Sequence, residues 1–363
     1  MSSKNCLYCP QPPNSLEHPL PAAFGEFVAA PYLDDRICEK CNNTHLGILD
    51  EQLVRCGPEA FFRRHYGVQG RPNHDKVNPF YRGSAGGQRL EMKSRDPNLG
   101  IDVLLECENG VYHQARQIIF AERSGKVHHI PIREGVTPEQ LRTAFEQLDV
   151  EKPFDVHLFC DPGEKVWMES LIKAAWPESN LGDHSTMAPT TYHGAKITVV
   201  LTDRYFRAVA KIGFHYFLTQ FPEYSGHEPM FSAIRSFVLE DGCGVDRAND
   251  CVGVRQHPLL GQMLDPRMRP DGWRAHVLCA ETTTAQALAH VQMFVSEDWQ
   301  APAYTVCLAR GNFVNSVASG HAYVYYSDGL LGRYSGEAFR LQTTRASFTA
   351  PPLGPVVTLE TTS

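Results

Sequence analysis

The sequence predicts an α+β chain, a small stapled N-terminal module followed by a larger mixed α+β domain, and three observations carry that reading. Four cysteines stand in two Cys-x-x-Cys pairs, Cys6 with Cys9 and Cys38 with Cys41. From residue 100 onward, segments with the two-residue period of strands alternate with segments of helical period. With 363 residues, 42% of them apolar and 21% charged, the composition is that of an ordinary globular protein of two or three domains.

The cysteine pairs come first. A Cys-x-x-Cys knuckle lets both sulfurs reach one ion, and two knuckles complete a tetrahedral zinc site with no open position. Such a closed site is structural, and it supplies folding energy to a segment too short to fold on burial alone. Disulfides are the competing use of these residues. The eleven cysteines are an odd number, and residues 1–5 run into Cys6 with no apolar signal segment. Zinc on Cys6, Cys9, Cys38 and Cys41 is therefore expected, in a cytoplasmic chain. Cys56, Cys107, Cys160, Cys243, Cys251, Cys279 and Cys307 are expected to be buried thiols. No run of eighteen apolar residues is present, so no membrane span is expected.

Between the knuckles lies Glu17-His18-Pro19-Leu20-Pro21, a carboxylate and an imidazole that a zinc clip does not need. Adjacent residues of a regular strand face opposite sides. Pro19 marks a strand end, where an irregular turn can bring Glu17 and His18 to one side. After the second knuckle, residues 42–55 read as a helix with Leu46, Leu49 and Leu53 along one stripe. Asn42 and His45, three apart, lie on or beside that stripe, while Asn43 and Asp50 share a flank about a quarter-turn away. Asn42 with His45 is the better-placed ligand pair and Asn43 with Asp50 the fallback. Cys56-Gly57-Pro58 ends the helix.

In this order, Cys-x2-Cys, Glu-His-x-x-Pro and Cys-x2-Cys-Asn-Asn-x-His-x-Gly followed by Leu49-Asp50, residues 1–70 resemble the zinc-clipped HNH endonucleases. The resemblance implies a ββα-metal module in which His18 is the general base and Glu17 a ligand of a catalytic divalent ion. Asn42 sits where the family places its final His or Asn ligand. The family's middle asparagine has no counterpart, and Asp34 or Asp35 stands in that stretch. The implied activity is hydrolysis of a phosphodiester, in DNA ahead of RNA. A neutral imidazole would take a proton from water, and one hard ion on Glu17, Asn42 and His45 would stabilise the developing charge. Oxygen donors suit magnesium or manganese, and an imidazole ligand shifts the preference toward manganese, nickel or zinc. The rival reading is a zinc-stapled nucleic-acid-binding or scaffold module without catalysis.

The net charge of −7 is unusual for a nucleic-acid enzyme, but it is unevenly spread. Arg55, Arg63, Arg64, Arg71, Lys76, Arg82, Arg89, Lys93 and Arg95 face only Glu59, Asp75 and Glu91 in the same stretch. That stretch reads either as a phosphate-contacting surface or as a solvated linker. The run Gly83-Ser84-Ala85-Gly86-Gly87 marks a flexible joint. The expected organisation is a module over 1–66, a basic linker over 67–99, an α+β domain over 100–342 and a tail over 343–363.

Within the larger domain, 101–107 and 111–119 form an expected hairpin across Asn109-Gly110. Thr137 caps a helix over 137–148. Then follow a strand at 155–160, a helix at 164–175 and a strand at 196–201. Residues 204–218 form an amphipathic helix with Phe206, Val209, Ile212, Phe214 and Phe217 on a broad face. A shorter helix over 230–239 packs beside it. The last third is β-rich, with strands at 275–279, 287–294, 303–308 and 321–326. No catalytic constellation is evident from residue 100 on, and the His128-His129 pair reads as structural.

Overall fold

The computed structural model describes residues 5–68, 78–80, 90–108, 110–151, 154–177, 196–198, 201–242, 245–255, 274–296, 302–314, 320–325 and 335–341. The chain divides into two units, Met1–Val77 with Val200–Ser363, and Asn78–Val199. The second unit is therefore inserted into the first, which differs from the expected division into a module over 1–66 and a domain over 100–342. The Gly83–Gly87 run, Cys243 and the tail from 343 lie outside the described residues. Among the described residues no helix is long and apolar enough to cross a membrane.

The first unit opens with β1 (Ser15–Glu17), β2 (Glu26–Val28) and β3 (Leu33–Ile37). β1 and β3 pair antiparallel, Ser15 with Ile37 and Glu17 with Leu33, so the register slips between them. The extra residues on β3 form a bulge, and Asp35 takes a φ of 50° there, a conformation that Asp tolerates better than most residues. A helical turn α1 (Glu39–Cys41), a π-helical turn (Asn42–Leu46) and α2 (Gly47–Arg55) then run without a break. Leu46, Leu49 and Leu53 are buried as the apolar stripe requires. Cys56-Gly57 breaks the helix, and Pro58 starts α3 (Pro58–His65) at the position where its missing N–H is harmless.

The inserted unit holds two sheets. The larger is four-stranded, in the order β10-β4-β5-β6, from β4 (Glu91–Arg95), β5 (Asp102–Glu108), β6 (Val111–Gln114) and β10 (Lys196–Thr198). The second pairs β7 (Gln117–Glu122) with β8 (Val127–Pro131) and β9 (Phe154–Phe159). The expected strand over 111–119 is thus two strands in different sheets. Gln117 bridges the break: its amide accepts from Leu104 N and donates to the carbonyls of Leu104 and Ala115. Residues 91–95, expected to end a linker, are strand β4. Helices α4 (Pro138–Glu146) and α5 (Lys165–Ala175) cover the three-stranded sheet around Ile118, Phe120, Leu141, Leu158 and Met168. Thr137 caps α4 through a reciprocal pair with Gln140.

The chain then returns to the first unit as α6 (Asp203–Gln220), α7 (Ser232–Leu239), α8 (Val245–Cys251) and β11 (Val252–Arg255). β12 (Arg274–Thr282), β13 (Gln286–Ser296), β14 (Ala303–Arg310), β15 (Gly320–Tyr325) and β16 (Ser335–Leu341) complete it. They form one seven-stranded sheet, β11-β14-β13-β12-β15-β16-β2. Its last member is the N-terminal β2, which pairs parallel with β16, whereas every other pair is antiparallel. Phe24, just before β2, and Phe27, within it, pack against His276, Phe294, Tyr323 and Tyr325. This is why the N-terminal segment belongs with the last third of the chain.

Helix α6 lies between the sheet and α2 and is buried from Tyr205 to Leu218 on every side. A Cβ on Gly213 would come within 3.0–3.1 Å of Val306 and Ala289, so glycine permits the close approach to the sheet. On the side toward the N-terminal segment, α6 carries Lys211 and His215, one helical turn apart and both fully buried.

Candidate functional site

The thiol sulfurs of Cys6, Cys9, Cys38 and Cys41 lie within 4.8 Å of one another. Four thiolates at about 2.3 Å from one zinc would stand about 3.8 Å apart, so the cluster needs only a small contraction. Cys6, Cys38 and Cys41 are buried, and the thiols of Cys9 and Cys38 are 3.5 Å apart. Backbone amides point at the sulfurs: Cys38 N donates to Cys6 Sγ at 3.3 Å and Cys41 N to Cys38 Sγ at 3.4 Å. Such bonds favour thiolate over thiol. Burial pushes the Cys38 thiol up, but the Cys41 amide and the hydrogen bonds from Cys9, Cys41 and Cys6 outweigh it and bring it down to about 7. Burial and the neighbouring sulfurs push Cys41 strongly the other way. Four sulfurs this close cannot all ionise without a cation among them. The geometry, burial and donor type fit one structural zinc, which Cys6, Cys9, Cys38 and Cys41 would hold.

Next to this cluster is a group of ionisable side chains drawn from four segments. The Lys211 ammonium is fully buried and lies 2.6 Å from Glu17 Oε1. It also donates to both oxygens of Asp50 at 2.9 Å. Glu17 is 4% exposed, whereas the Asp50 side chain keeps 27% exposure. His215 Nδ1 is 3.3 Å from Glu17 Oε1, and its Nε2 is 2.8 Å from the Tyr8 hydroxyl. Burial holds the His215 pKa low, so its imidazole is neutral near pH 7. The acceptor at Nδ1 then assigns the tautomer: Nδ1–H donates to Glu17 and Nε2 accepts from Tyr8. Tyr8 lies between Cys6 and Cys9, so this chain of bonds starts inside the first knuckle.

The electrostatics of the two carboxylates diverge. Burial alone would raise Glu17, but the Lys211 charge and the His215 bond hold it down at about 2. Asp50 is pushed up to about 6 by burial and by the Glu17 charge, against the pull of Lys211. Lys211 itself is raised, since its two carboxylates outweigh its burial. One ammonium thus serves two carboxylates, and Asp50 is the one left short.

The irregular pairing of β1 with the bulged β3 leaves Glu17 buried and His18 half-buried, with its ring edge-on to Tyr32 at 4.8 Å. Asn42 donates its side-chain amide to Ser15 Oγ at 3.3 Å, and His45 and Asn43 are exposed. The ligand pair ranked first from the sequence, Asn42 with His45, is thus not directed at Glu17, whereas the fallback Asp50 meets Glu17 at Lys211. The π-helical turn over Asn42–Leu46 is the physical reason. It shifts the phase of the helix from the regular 3.6-residue period on which the expected pairing rested. Among the described residues, the four cysteines are the one group of three or more His, Cys, Asp or Glu side chains with metal-ligand spacing.

Lys211, His215 and Tyr8 were not anticipated. The signal for the first two is a lysine and a histidine four apart in the most apolar stretch of a helix, Ala208–Leu218. A polar pair at that spacing shares a face and needs buried partners. His128 and His129 are buried in β8, bonded to Glu122 at 2.7 Å and to Gln117 at 3.1 Å, in keeping with a structural role. A comparison with protein-family models, curated proteins and solved structures finds nothing that matches this chain.

Proposed function

We propose that the chain is a divalent-ion-dependent phosphodiesterase of the HNH endonuclease kind, acting on nucleic acid, DNA ahead of RNA. The observation that carries this reading is the meeting of Glu17 and Asp50, from β1 and α2, at one cationic point beside the zinc-binding cluster, with His18 next to Glu17 in sequence. Lys211 and His215 both approach Glu17 Oε1, at 2.6 and 3.3 Å. Glu17 and Asp50 would hold the ion in place of the Glu17–Asn42–His45 set, and a hard cation such as magnesium or manganese suits two carboxylates. Bound there, such an ion would stabilise charge building on the phosphate and on the leaving oxygen. His18, half-buried at the end of β1, takes the proton from the attacking water, a task suited to an imidazole near neutral pH. His215 orients Glu17 through its Oε1.

The test is relaxation of supercoiled plasmid with magnesium or manganese, comparing the parent with His18→Ala while zinc content is measured on the same samples. The variant is expected to keep its zinc and lose roughly 10²- to 10⁴-fold in rate. Cleavage by His18→Ala at the parent rate would remove His18 from the chemistry.

A second reading is favoured by a specific observation, the 2.6 Å ion pair that occupies Glu17. On that reading the zinc-stapled segment binds nucleic acid or serves as a scaffold without cutting. Binding would then weaken with salt and be indifferent to magnesium and manganese.

A further inference from the structure

We propose that Lys211 is a resident counter-ion seated in a divalent-cation site made by Glu17 and Asp50, and that a hard divalent ion loads this site only by displacing the lysine ammonium. The proposal rests on the reading of Glu17 and Asp50 as the cation ligands of the site proposed above. It adds a regulator, on helix α6, that the motif in residues 1–70 does not contain.

Three observations converge on it. The ammonium sits within 2.6–2.9 Å of three carboxylate oxygens from two chain segments, which is a cation's place. The charges there do not balance. Glu17 and Asp50 bring two negative charges against one positive, and His215 and Tyr8, the other groups bonded in the cluster, are neutral. A buried excess charge is costly, and a divalent ion in place of the ammonium would cancel it. Finally, the cluster is closed on the Lys211 side and open on the other: Lys211 is fully buried, while the Asp50 side chain keeps 27% exposure. An ion arriving from solvent meets Asp50 first. The two carboxylates offer up to four oxygens, and water completes the shell of a hard ion.

The experiment titrates Mn²⁺ into zinc-loaded, full-length protein and follows free Mn²⁺ by electron paramagnetic resonance. Lys211→Met keeps the apolar stem and removes the charge. It is expected to bind one Mn²⁺ per chain at least about ten-fold more tightly than the parent. Adding Asp50→Asn should abolish the gain. A folded Lys211→Met variant, checked by circular dichroism, that binds Mn²⁺ no better than the parent overturns the proposal. Lys211→Gln, which retains hydrogen-bond donors, is read the same way should the methionine variant not fold. The parent supplies the remaining measurement. It is expected to bind Mn²⁺ only in the millimolar range and to lose that binding in Asp50→Asn. A micromolar site in the parent that Asp50→Asn removes would mean that Lys211 does not compete. Because the readout is ion binding, a protein that gains Mn²⁺ in Lys211→Met yet cuts no plasmid would refute the nuclease reading and leave the displaced counter-ion standing.

Discussion

The cysteine cluster and the carboxylate cluster sit side by side in the first unit, and they solve the same electrostatic problem by opposite means. The cysteine cluster gathers four donors from 36 residues of local chain, and those donors could hold one metal ion. The carboxylate cluster gathers donors from β1 and α2 and receives its cation from the protein itself, through Lys211 of a helix more than 150 residues downstream. The first is a local staple. The second ties the N-terminal segment to the core helix of the unit. A fold can therefore place a cluster fit for a metal and an ionic anchor within one module, and the two are expected to fail under different conditions.

The largest expected effect separates them at once. Removing zinc with a strong chelator, or replacing Cys41 by Ser, should unfold residues 5–66, because the apparent binding energy of structural zinc is on the order of 10 kcal/mol. Loss of the N-terminal near-ultraviolet signal and proteolytic release of that segment would report it. A chelated protein that keeps both signals would show that the core helix holds the module without metal.

Next in size is the ionic anchor. Lys211→Ala strands Glu17 and Asp50 as uncompensated buried charges and should cost about 3–5 kcal/mol in urea unfolding at neutral pH. The zinc content of the folded variant should stay that of the parent. A change below about 1 kcal/mol would show that solvent already screens the pair.

A third, smaller effect concerns Glu59, at the start of α3 on the far side of α6. Its Oε1 accepts from the Tyr205 hydroxyl at 2.9 Å, while its Oε2 is buried with no hydrogen-bond partner among the described residues. Burial pushes its carboxyl up to about 7 from 4.5. The folded state therefore holds a proton that the unfolded state releases between pH 4.5 and about 7. The contribution of Glu59 to stability should fall as pH rises through that window and level off above it. Its share is about 3 kcal/mol, and Glu59→Gln should remove that share of the slope. Unfolding measured at pH 5 and pH 8 checks it, and a parent slope unchanged in the variant would assign the titration elsewhere.

The comparison also shows which parts of the molecule were legible in the sequence. The cysteine pairs were, because knuckle spacing is a local constraint that needs no knowledge of the fold. Helices α4 to α7 and strands β12 to β15 were, because their apolar periods are long and capped, as Thr137 and Gln140 illustrate. The insertion of Asn78–Val199 was not, because it depends on the parallel pairing of three-residue β2 with β16, and three residues carry no periodic signal. The strand break at Ala115 was hidden since Gln117 imitates a backbone partner with its side chain. Within the site, Glu17 stood out beside its histidine. The choice between Asn42 with His45 and the Asp50 pair turned on a π-helical turn, which no helical wheel anticipates. Lys211 and His215 were visible as polar intrusions in an apolar helix, but nothing local names their partners.

The central claim is that Glu17, Asp50 and Lys211 act as one ionic unit joining the four-cysteine segment to helix α6. Its most direct test compares the unfolding free energy of Lys211→Met with that of the triple variant Glu17→Gln, Asp50→Asn, Lys211→Met. If the three charges form one unit, neutralising all of them should restore most of what Lys211→Met alone removes, leaving the triple variant within about 1–2 kcal/mol of the parent. A triple variant as unstable as the sum of its separate substitutions would contradict the account.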